Sequence, residues 1–331
     1  MTKINTFVTR GNNIESKHSI KALVINENGK ILLSTKNNFD YIYPRSSIKI
    51  FQAIPFVLSG AISKFKLNSK QIALSCSSHC GEKNQIKELQ NWLKKINISV
   101  NELKCGVHNP LNLKSSNKLL LSGLKPNQLH NNCSGKHMAM IASCLSNHKV
   151  VKNYLDFNHY HQINIRKIFK FFTNKKIRKN NFSLDGCSAP QYAFQIDDLS
   201  RALVNLVKSY NSNFHYSTEV KILINNIIEN PNMIGGVNKF DSYLIKHSKK
   251  NIFCKGGAEG VFLFAHLKKK IVGVVKVNDG NERALPSSVS EILKKLNITS
   301  KKENDDLKRW IKMDITNHAK KITGKIYTTI K

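Results

Sequence analysis

The chain has 331 residues, 40% of them apolar, which is enough to bury a large hydrophobic core. Its formal net charge of +32 raises the alternative of a polyanion-binding protein, but only seven of its 53 basic residues are arginine, the side chain that phosphate and base contacts favour. Scattered lysine is instead typical of an AT-rich genome, so we do not expect nucleic acid as a partner. No membrane-spanning segment or secretory signal is visible, so we expect a cytoplasmic protein.

The first third of the chain mixes strand and helix patterns. Alternating apolar residues around an Asn-Gly turn are typical of a β-hairpin. Apolar residues three to four positions apart are typical of amphipathic helices. The predicted elements are a hairpin over 22–33, a helix that begins after Arg45 and reaches residue 62, a short strand over 71–75 and a helix over 85–97.

The middle of the chain is largely helical, and strands return near its end. Strands at both ends with helices between them predict an α+β fold, in which one antiparallel sheet is formed from both termini around an inserted, mainly helical region. We predict a single catalytic domain over 1–331, with sheet parts at roughly 1–45 and 250–331 and a helical part at roughly 83–248. The elements are helices near 136–147, 151–172, 195–209, 217–229 and 284–296, and strands over 261–266, 270–277 and 319–330.

The most informative motif is Ser46-Ser47-Ile48-Lys49, at the start of a predicted helix. Residues i and i+3 share a helix face, so Ser46 Oγ and Lys49 Nζ can meet. A lysine in a low-dielectric cleft can lose its proton near neutral pH and act as a base on serine. The spacing alone is common in lysine-rich chains, but it supplies the nucleophile and base of an acyl-transfer enzyme.

Two further loops accompany this motif. Residues 75–82 carry serines, cysteines and a histidine, and residues 254–260 read Cys-Lys-Gly-Gly-Ala-Glu-Gly before an apolar strand. Each loop alone is equally well explained as a turn. Their order is similar to the Ser-x-x-Lys, Ser-Asp-Asn and Lys-Thr-Gly order of serine β-lactamases and penicillin-binding proteins. Together the three segments predict an amidohydrolase that works through an acyl-enzyme.

Two cysteines in separate loops are candidates for a metal site. Cys133 lies in Asn-Asn-Cys-Ser-Gly-Lys-His and Cys187 in Asp-Gly-Cys-Ser-Ala-Pro. Thiolates are soft ligands that suit zinc. On spacing alone, buried thiols without a metal explain the pattern as well.

Five motifs in chain order resemble the asparaginase II family, the rhizobial-type class 3 L-asparaginases. Weaker matches near both ends extend the resemblance over almost the whole chain. The resemblance implies a serine-β-lactamase-like (glutaminase-like) fold, a homodimer and hydrolysis of L-asparagine to L-aspartate and ammonia. The motifs are Tyr-Pro-Arg-Ser-Ser-Ile-Lys (43–49), Ser-His-Cys-Gly-Glu (78–82), Asn-Cys-Ser-Gly-Lys-His (132–137), Asp-Gly-Cys-Ser-Ala-Pro (185–190) and Lys-Gly-Gly-Ala-Glu-Gly (255–260).

The resemblance also implies a role for each matching residue. A lysine ligand must be deprotonated, so we expect zinc occupancy to fall at low pH. Glutamine and another amide remain alternative substrates, and a penicillin remains an alternative ligand. A degenerate pseudoenzyme is a further alternative, but the candidate catalytic side chains are all retained, which argues against it. The implied roles are Ser46 as nucleophile, Lys49 as its base, Ser78 with Lys255 as a second pair, Cys133, Lys136 and Cys187 as zinc ligands, and Arg45, His137 and Asp185 as substrate contacts.

One position departs from the family. The family usually has Ser-His-Ser-Gly-Glu where this chain has Ser-His-Cys-Gly-Glu, so Cys80 replaces a serine. We align Ser78 with the functional serine. If the alignment shifts by two residues, the second pair becomes Cys80 with Lys255, and its chemistry differs.

Overall fold

The structure is a computed structural model that describes residues 2–35 and 40–331. Met1 and residues 36–39, part of the predicted N-terminal sheet region, lie outside the described residues. The strands are β1 (Ile4–Arg10), β2 (Asn13–Asn26), β3 (Ile31–Ser34), β4 (Tyr41–Ile42), β5 (Phe182–Leu184), β6 (Pro190–Tyr192), β7 (Phe194–Gln195), β8 (Ile252–Gly257), β9 (Val261–His266), β10 (Ile271–Val277), β11 (Lys312–Thr316) and β12 (Ile322–Ile330).

Helices occupy most of the chain between the terminal groups of strands. The α-helices are α1 (Lys49–Leu58), α2 (Ala61–Lys64), α3 (Ser69–Leu74), α4 (Lys83–Lys95), α5 (Leu113–Leu121), α6 (Ser134–Ser146), α7 (Tyr160–Thr173), α8 (Ile196–Asn211), α9 (Ser217–Glu229), α10 (Pro231–Ile234), α11 (Phe240–His247), α12 (Leu285–Lys295), α13 (Lys301–Asp306) and α14 (Lys308–Ile311). Short 3₁₀ helices cover Arg45–Ile48, Val100–Glu102, Gln128–His130, Lys179–Asn181 and Glu282–Ala284.

One antiparallel sheet is built from both ends of the chain. Its strand order is β11-β12-β1-β2-β10-β9-β8, and β3 pairs with β2. The N-terminal strand β1 pairs with the C-terminal strand β12, with Ile4 opposite Ile330. Residues of β1 alternate between buried and partly exposed, as expected for a strand with one face on a core. The predicted α+β class and the sheet formed by both termini are confirmed.

The chain divides into two compact units. The sheet unit comprises Met1–Ser47, Ala193–Lys208 and Leu244–Lys331, and the helical unit comprises Ile48–Tyr192 and Ser209–Tyr243. In the sheet unit, α12 packs against β12 and β1. In the helical unit, α1 packs against α6, α7 and α9.

Helix α1 is the centre of the helical unit. Its residues from Lys49 to Phe56 are all buried. The ring of Phe51 lies 6.0 Å from that of Phe169 and 5.0 Å from that of Phe172, measured between centroids. Burial of this many apolar side chains fixes the position of Lys49 at the first turn of the helix.

The predicted strand over residues 71–75 is wrong, because this segment is helix α3. Asn68 caps the helix: its Oδ1 accepts from Gln71 N at 2.9 Å, and Gln71 Oε1 accepts from Asn68 N at 3.1 Å. This reciprocal cap favours a helix start. Since Ile72-Ala73-Leu74 is buried on every side, the segment shows no periodicity that would distinguish helix from strand.

Two predicted helices differ in extent from those observed. The helix expected to reach residue 62 is divided into α1 and α2 at Gly60, whose φ of +72° ends a helix. The helix predicted over 151–172 begins only at Tyr160, because residues 152–158 form turns and a bend. Within the described ranges, none of the helices combines the length and apolar character that crossing a bilayer requires.

Candidate active site

A tight 3₁₀ turn in the sheet unit carries Ser46. Ser47 N and Ser47 Oγ both donate to Pro44 O, at 3.1 and 2.6 Å. Arg45 has a φ of +52°, a left-handed conformation that is uncommon for a residue with a side chain. Such strain persists where surrounding structure imposes it, and it often occurs at functional sites. Ser46 stays partly exposed beside the fully buried Ser47.

Strand β8 lies directly against this turn. A Cβ placed on Gly257 would come within 2.4 Å of Pro44 O, 3.1 Å of Ser47 N and 3.3 Å of Ser46 N. Glycine is therefore required for the close approach of the two backbones. Lys255, two residues earlier, is only 3% exposed, and its Nζ donates to Gly256 O at 2.9 Å. The fold thus brings the lysine-glycine segment beside the turn that carries Ser46.

In the helical unit, the buried amine of Lys49 joins two other candidate residues. Lys49 is fully buried at the start of α1. Its Nζ donates to Ser78 Oγ at 3.1 Å, to Cys133 Sγ at 3.3 Å and to Ser77 O. A buried amine needs such partners, because an unpaired one would be costly. Lys49 thus connects the hydroxyl loop with the first cysteine of the predicted zinc set.

Ser78 and Cys80 occupy different surroundings. Ser78 N donates to Ile234 O at 2.7 Å, and its Oγ faces Lys49 Nζ. Cys80 Sγ lies 3.8 Å from Gln85 Oε1, and a Cβ placed on Gly236 would approach it to 2.3 Å. Burial, reinforced by the neighbouring Glu82, raises the pKa of the Cys80 thiol to about 12. Cys80 is therefore a packed thiol whose raised pKa disfavours the thiolate, whereas Ser78 contacts a candidate catalytic lysine.

The three predicted zinc ligands lie together in the helical unit. Lys136 Nζ is 3.1 Å from Cys187 Sγ. A hydrogen bond from Cys133, assisted by the charge of Lys136, outweighs burial and lowers the pKa of Cys187 to about 5. The same hydrogen bond and burial raise the pKa of Cys133 to about 12. Burial opposes a charge on Lys136, but Cys187 and Cys133 raise its pKa overall.

Local backbone structure explains why these side chains meet. Cys133 immediately precedes α6, where its N–H donates to Asn131 Oδ1 at 2.9 Å. Lys136 follows three residues later and so shares a helix face with Cys133. Cys187 lies in a tight loop that Asp185 N closes by donating to Ala189 O at 2.9 Å.

The donor set suits zinc. Cys187 Sγ contacts both Lys136 Nζ and Cys133 Sγ, and thiolate with nitrogen is a common zinc shell. Across the described part of the chain, no group of three or more His, Cys, Asp or Glu side chains is arranged to hold a metal ion. The third donor here is a lysine, which lies outside that set of residue types.

The three predicted substrate contacts have different environments. His137 is fully buried, and its Nδ1 lies 2.7 Å from the Tyr154 hydroxyl, which also accepts from Lys104 N at 2.9 Å. Burial lowers the pKa of His137 to about 3, and nearby Lys136 adds to this. His137 Nε2 has no hydrogen-bond partner among the described residues. Arg45 and Asp185 are partly exposed, one in each unit, and Asp185 Oδ1 accepts from Gly186 N at 2.9 Å.

Some groups at the site were not predicted from the sequence. The carbonyl of Ser77 and the side chains of Asn131 and Tyr154 all contact candidate residues. Asn131 is the first residue of the Asn-Asn-Cys-Ser-Gly-Lys-His segment, so its position was a usable signal. Tyr154 is distant in sequence from every motif, and nothing in its neighbourhood marks it.

Comparison with known proteins assigns the chain to a family. No curated protein matches the sequence significantly. A beta-lactamase-like protein from Bacteroides dorei DSM 17855 has a crystal structure with a TM-score of 0.39 and 10% identity, covering 88% of this chain and 93% of that one. The sequence profile of the family described as L-asparaginase II matches residues 6–328. The chain therefore belongs to the L-asparaginase II family, which makes it an asparaginase-type amidohydrolase.

Proposed function

We propose that this protein is an L-asparaginase that hydrolyses the side-chain amide of L-asparagine through a Ser46 acyl-enzyme. The observation that carries the proposal is the buried Lys49 amine, in contact with Ser78 Oγ and Cys133 Sγ in a chain of this family. Placing an amine, a hydroxyl and a thiol together below the surface costs free energy of desolvation, which an apolar core would not incur. The cluster contains the proposed base, Lys49, one member of the proposed second pair, Ser78, and one proposed zinc ligand, Cys133.

In the proposed first step, the neutral form of Lys49, which donates two hydrogen bonds and not the three that the ammonium makes, accepts the proton of Ser46, and Ser46 Oγ attacks the amide carbon. The tetrahedral oxyanion is stabilised by backbone N–H groups, including that of Ser46; each such donor contributes about 10²–10³ in rate. Collapse of the intermediate releases ammonia, with its proton delivered by Ser78 and Lys255. Water then attacks the aspartyl ester and gives its proton to the Ser78–Lys255 pair, while Lys49 returns its proton to Ser46 Oγ; aspartate is freed and all the groups regain their starting protonation.

Three further residues would hold the substrate. Arg45 would pair with a substrate carboxylate, since guanidinium and carboxylate form two parallel hydrogen bonds. Asp185 would accept from the α-ammonium group. His137 Nε2, which has no partner among the described residues, would donate to the bound amino acid.

Zinc would be held by Cys133, Lys136 and Cys187. When bound, it would supply a rigid link between the start of α6 and the Cys187 loop, since ligands from separate segments hold those segments together. The chain's own part is to keep both thiols and the amine within contact distance. Lys49, which touches Cys133, would then rest against a fixed sulfur.

We also propose a cytoplasmic homodimer. Helix α5 has no buried residue and exposes Leu113, Leu120 and Leu121 by 73%, 78% and 87%. Exposed apolar clusters of this kind are typical of interfaces. Sedimentation should give a dimer mass, and Leu120→Glu should shift it to the monomer. Leu184→Glu is the matched control, because Leu184 is also apolar and 63% exposed, and it should leave the dimer mass unchanged. A dimer mass for Leu120→Glu would contradict this interface.

The decisive experiment measures ammonia released from L-asparagine and L-glutamine in parallel. We expect asparagine to be the better substrate, and Ser46→Ala to abolish its hydrolysis while the protein stays folded. Ser47→Ala is the control, because Ser47 directs its hydroxyl to Pro44 O; it should keep most of the activity. Native-rate hydrolysis by Ser46→Ala would refute the nucleophile, and a preference for glutamine would refute the substrate.

A further inference from the structure

The buried ring of His79 uses both of its nitrogens, and their partners fix its protonation. Gly81 N donates to Nδ1 at 3.2 Å, so that nitrogen carries no proton. Nε2 therefore carries the proton and donates to Ser134 Oγ at 2.8 Å. Ser134 Oγ in turn donates to Leu129 O at 3.2 Å. Burial, with the nearby charge of Lys49, lowers the pKa of His79 to about 3, in agreement with a neutral ring.

The two segments that this hydrogen bond joins also carry two acceptors of Lys49. Ser78 directly precedes His79, and Cys133 directly precedes Ser134. Lys49 Nζ lies 3.1 Å from Ser78 Oγ and 3.3 Å from Cys133 Sγ. A closed ring of contacts results, in which the bond between His79 and Ser134 lies opposite the Lys49 amine. A change in this bond must therefore change the spacing of the two acceptors.

We propose that His79 is a positioning residue, which holds Ser78 Oγ and Cys133 Sγ at the spacing that seats the Lys49 amine. The inference rests on the proposed function, because the position of Lys49 matters through its role as base. A neutral imidazole fits this position, because it accepts on one edge and donates on the other within a rigid ring. A misplacement of about 1 Å at a reacting group can cost about 10²-fold in rate.

The experiment compares steady-state hydrolysis of L-asparagine by four variants. His79→Leu keeps the volume and removes both hydrogen bonds, so kcat should fall about 100-fold while KM changes less than about threefold. His79→Gln restores a donor near the Nε2 position and should recover to within about tenfold of the native kcat. Ser134→Ala should lower kcat about tenfold, and the double variant His79→Leu/Ser134→Ala should be no slower than His79→Leu alone.

The control is His161→Leu. His161 is also buried in the helical unit, but neither of its ring nitrogens has a partner among the described residues. It should lose stability at most, with kcat unchanged. Equal kcat for His79→Leu and the wild type would overturn the proposal, and so would a His79→Gln variant as slow as His79→Leu. If His79→Leu does not fold, Ser134→Ala decides, because a native kcat there excludes a positioning role.

A crystal structure of Ser134→Ala separates this proposal from the proposed function. We expect the distance between Ser78 Oγ and Cys133 Sγ to change by about 1 Å, whatever the substrate of the enzyme. An unchanged distance overturns the positioning role. A changed distance in a protein that releases no ammonia from asparagine keeps the positioning role and refutes only the substrate.

Discussion

The helical unit and the sheet unit hold their candidate residues by different means. In the helical unit, side-chain hydrogen bonds around Lys49 and Lys136 connect Ser78, Cys133 and Cys187. In the sheet unit, the turn of Ser46 is shaped by backbone contacts with Gly257. Catalytic activity should therefore fall when a side chain around Lys49 loses its polar group, and when a side chain is added at Gly257.

Apart from loss of the nucleophile itself, the largest effect should come from Lys49→Met, which keeps the length of the side chain and removes the amine. Loss of the general base should lower kcat about 10⁴-fold. Lys64→Met is the control, because Lys64 Nζ is exposed and donates to the carbonyls of Leu145 and Ser146, neither of which is a candidate residue. Ammonia release should be native for Lys64→Met, and a Lys49→Met variant within tenfold of native would exclude Lys49 as the base.

Gly257→Ala tests the sheet unit by volume alone. The added Cβ would lie 2.4 Å from Pro44 O, so the turn of Ser46 must move and kcat should fall about 10²-fold. Thermal unfolding should show a loss of about 1–3 kcal/mol.

The matched control is Gly273→Ala, in strand β10 of the same sheet. There the added Cβ would lie 2.2 Å from the ring of Phe264, so the stability cost should be similar. Because this contact involves no candidate residue, kcat should stay within about threefold of native. Equal losses of activity in the two variants would mean that general destabilisation, and not the turn, explains the effect of Gly257→Ala.

The two units also differ in how far the sequence predicts them. The sheet of both termini follows from strand patterns near each end, and the motifs name the residues around Lys49 and Gly257. Helix α3 was not predicted, because its apolar run is buried on all sides and only the Asn68 cap distinguishes it from a strand. The contact of Lys49 with Cys133 was not predicted either, because no spacing rule relates residues that meet only through tertiary packing.

Measuring zinc content tests whether Cys133, Lys136 and Cys187 form a metal site or only a hydrogen-bonded cluster. Protein purified without chelator should contain about one zinc per chain, and Cys187→Ala should contain none, because three protein ligands are needed for a stable site. Cys144→Ala removes another buried thiol, whose pKa is raised by burial alone, and should keep its zinc. Elemental analysis gives the result directly. A wild-type protein without zinc would remove the metal from the proposal and leave the hydrogen-bonded cluster as a structural feature.

The smallest effect should come from Cys80→Ser, which restores the residue usual in the family. Its side chain would still meet Gln85 Oε1, whereas Lys49 Nζ donates to Ser78 Oγ and Cys133 Sγ, so kcat should stay within about threefold of native. Ser78→Ala, two residues earlier, removes an acceptor of Lys49 and should lower kcat about 10²-fold. The reverse result would assign the second site to Cys80. Cys80 packs against Gly236, whereas Ser78 faces the buried amine of Lys49. If Ser78→Ala has the larger effect, contact with Lys49 identifies the catalytic residue. If Cys80→Ser has the larger effect, the position that is usually serine in the family identifies it.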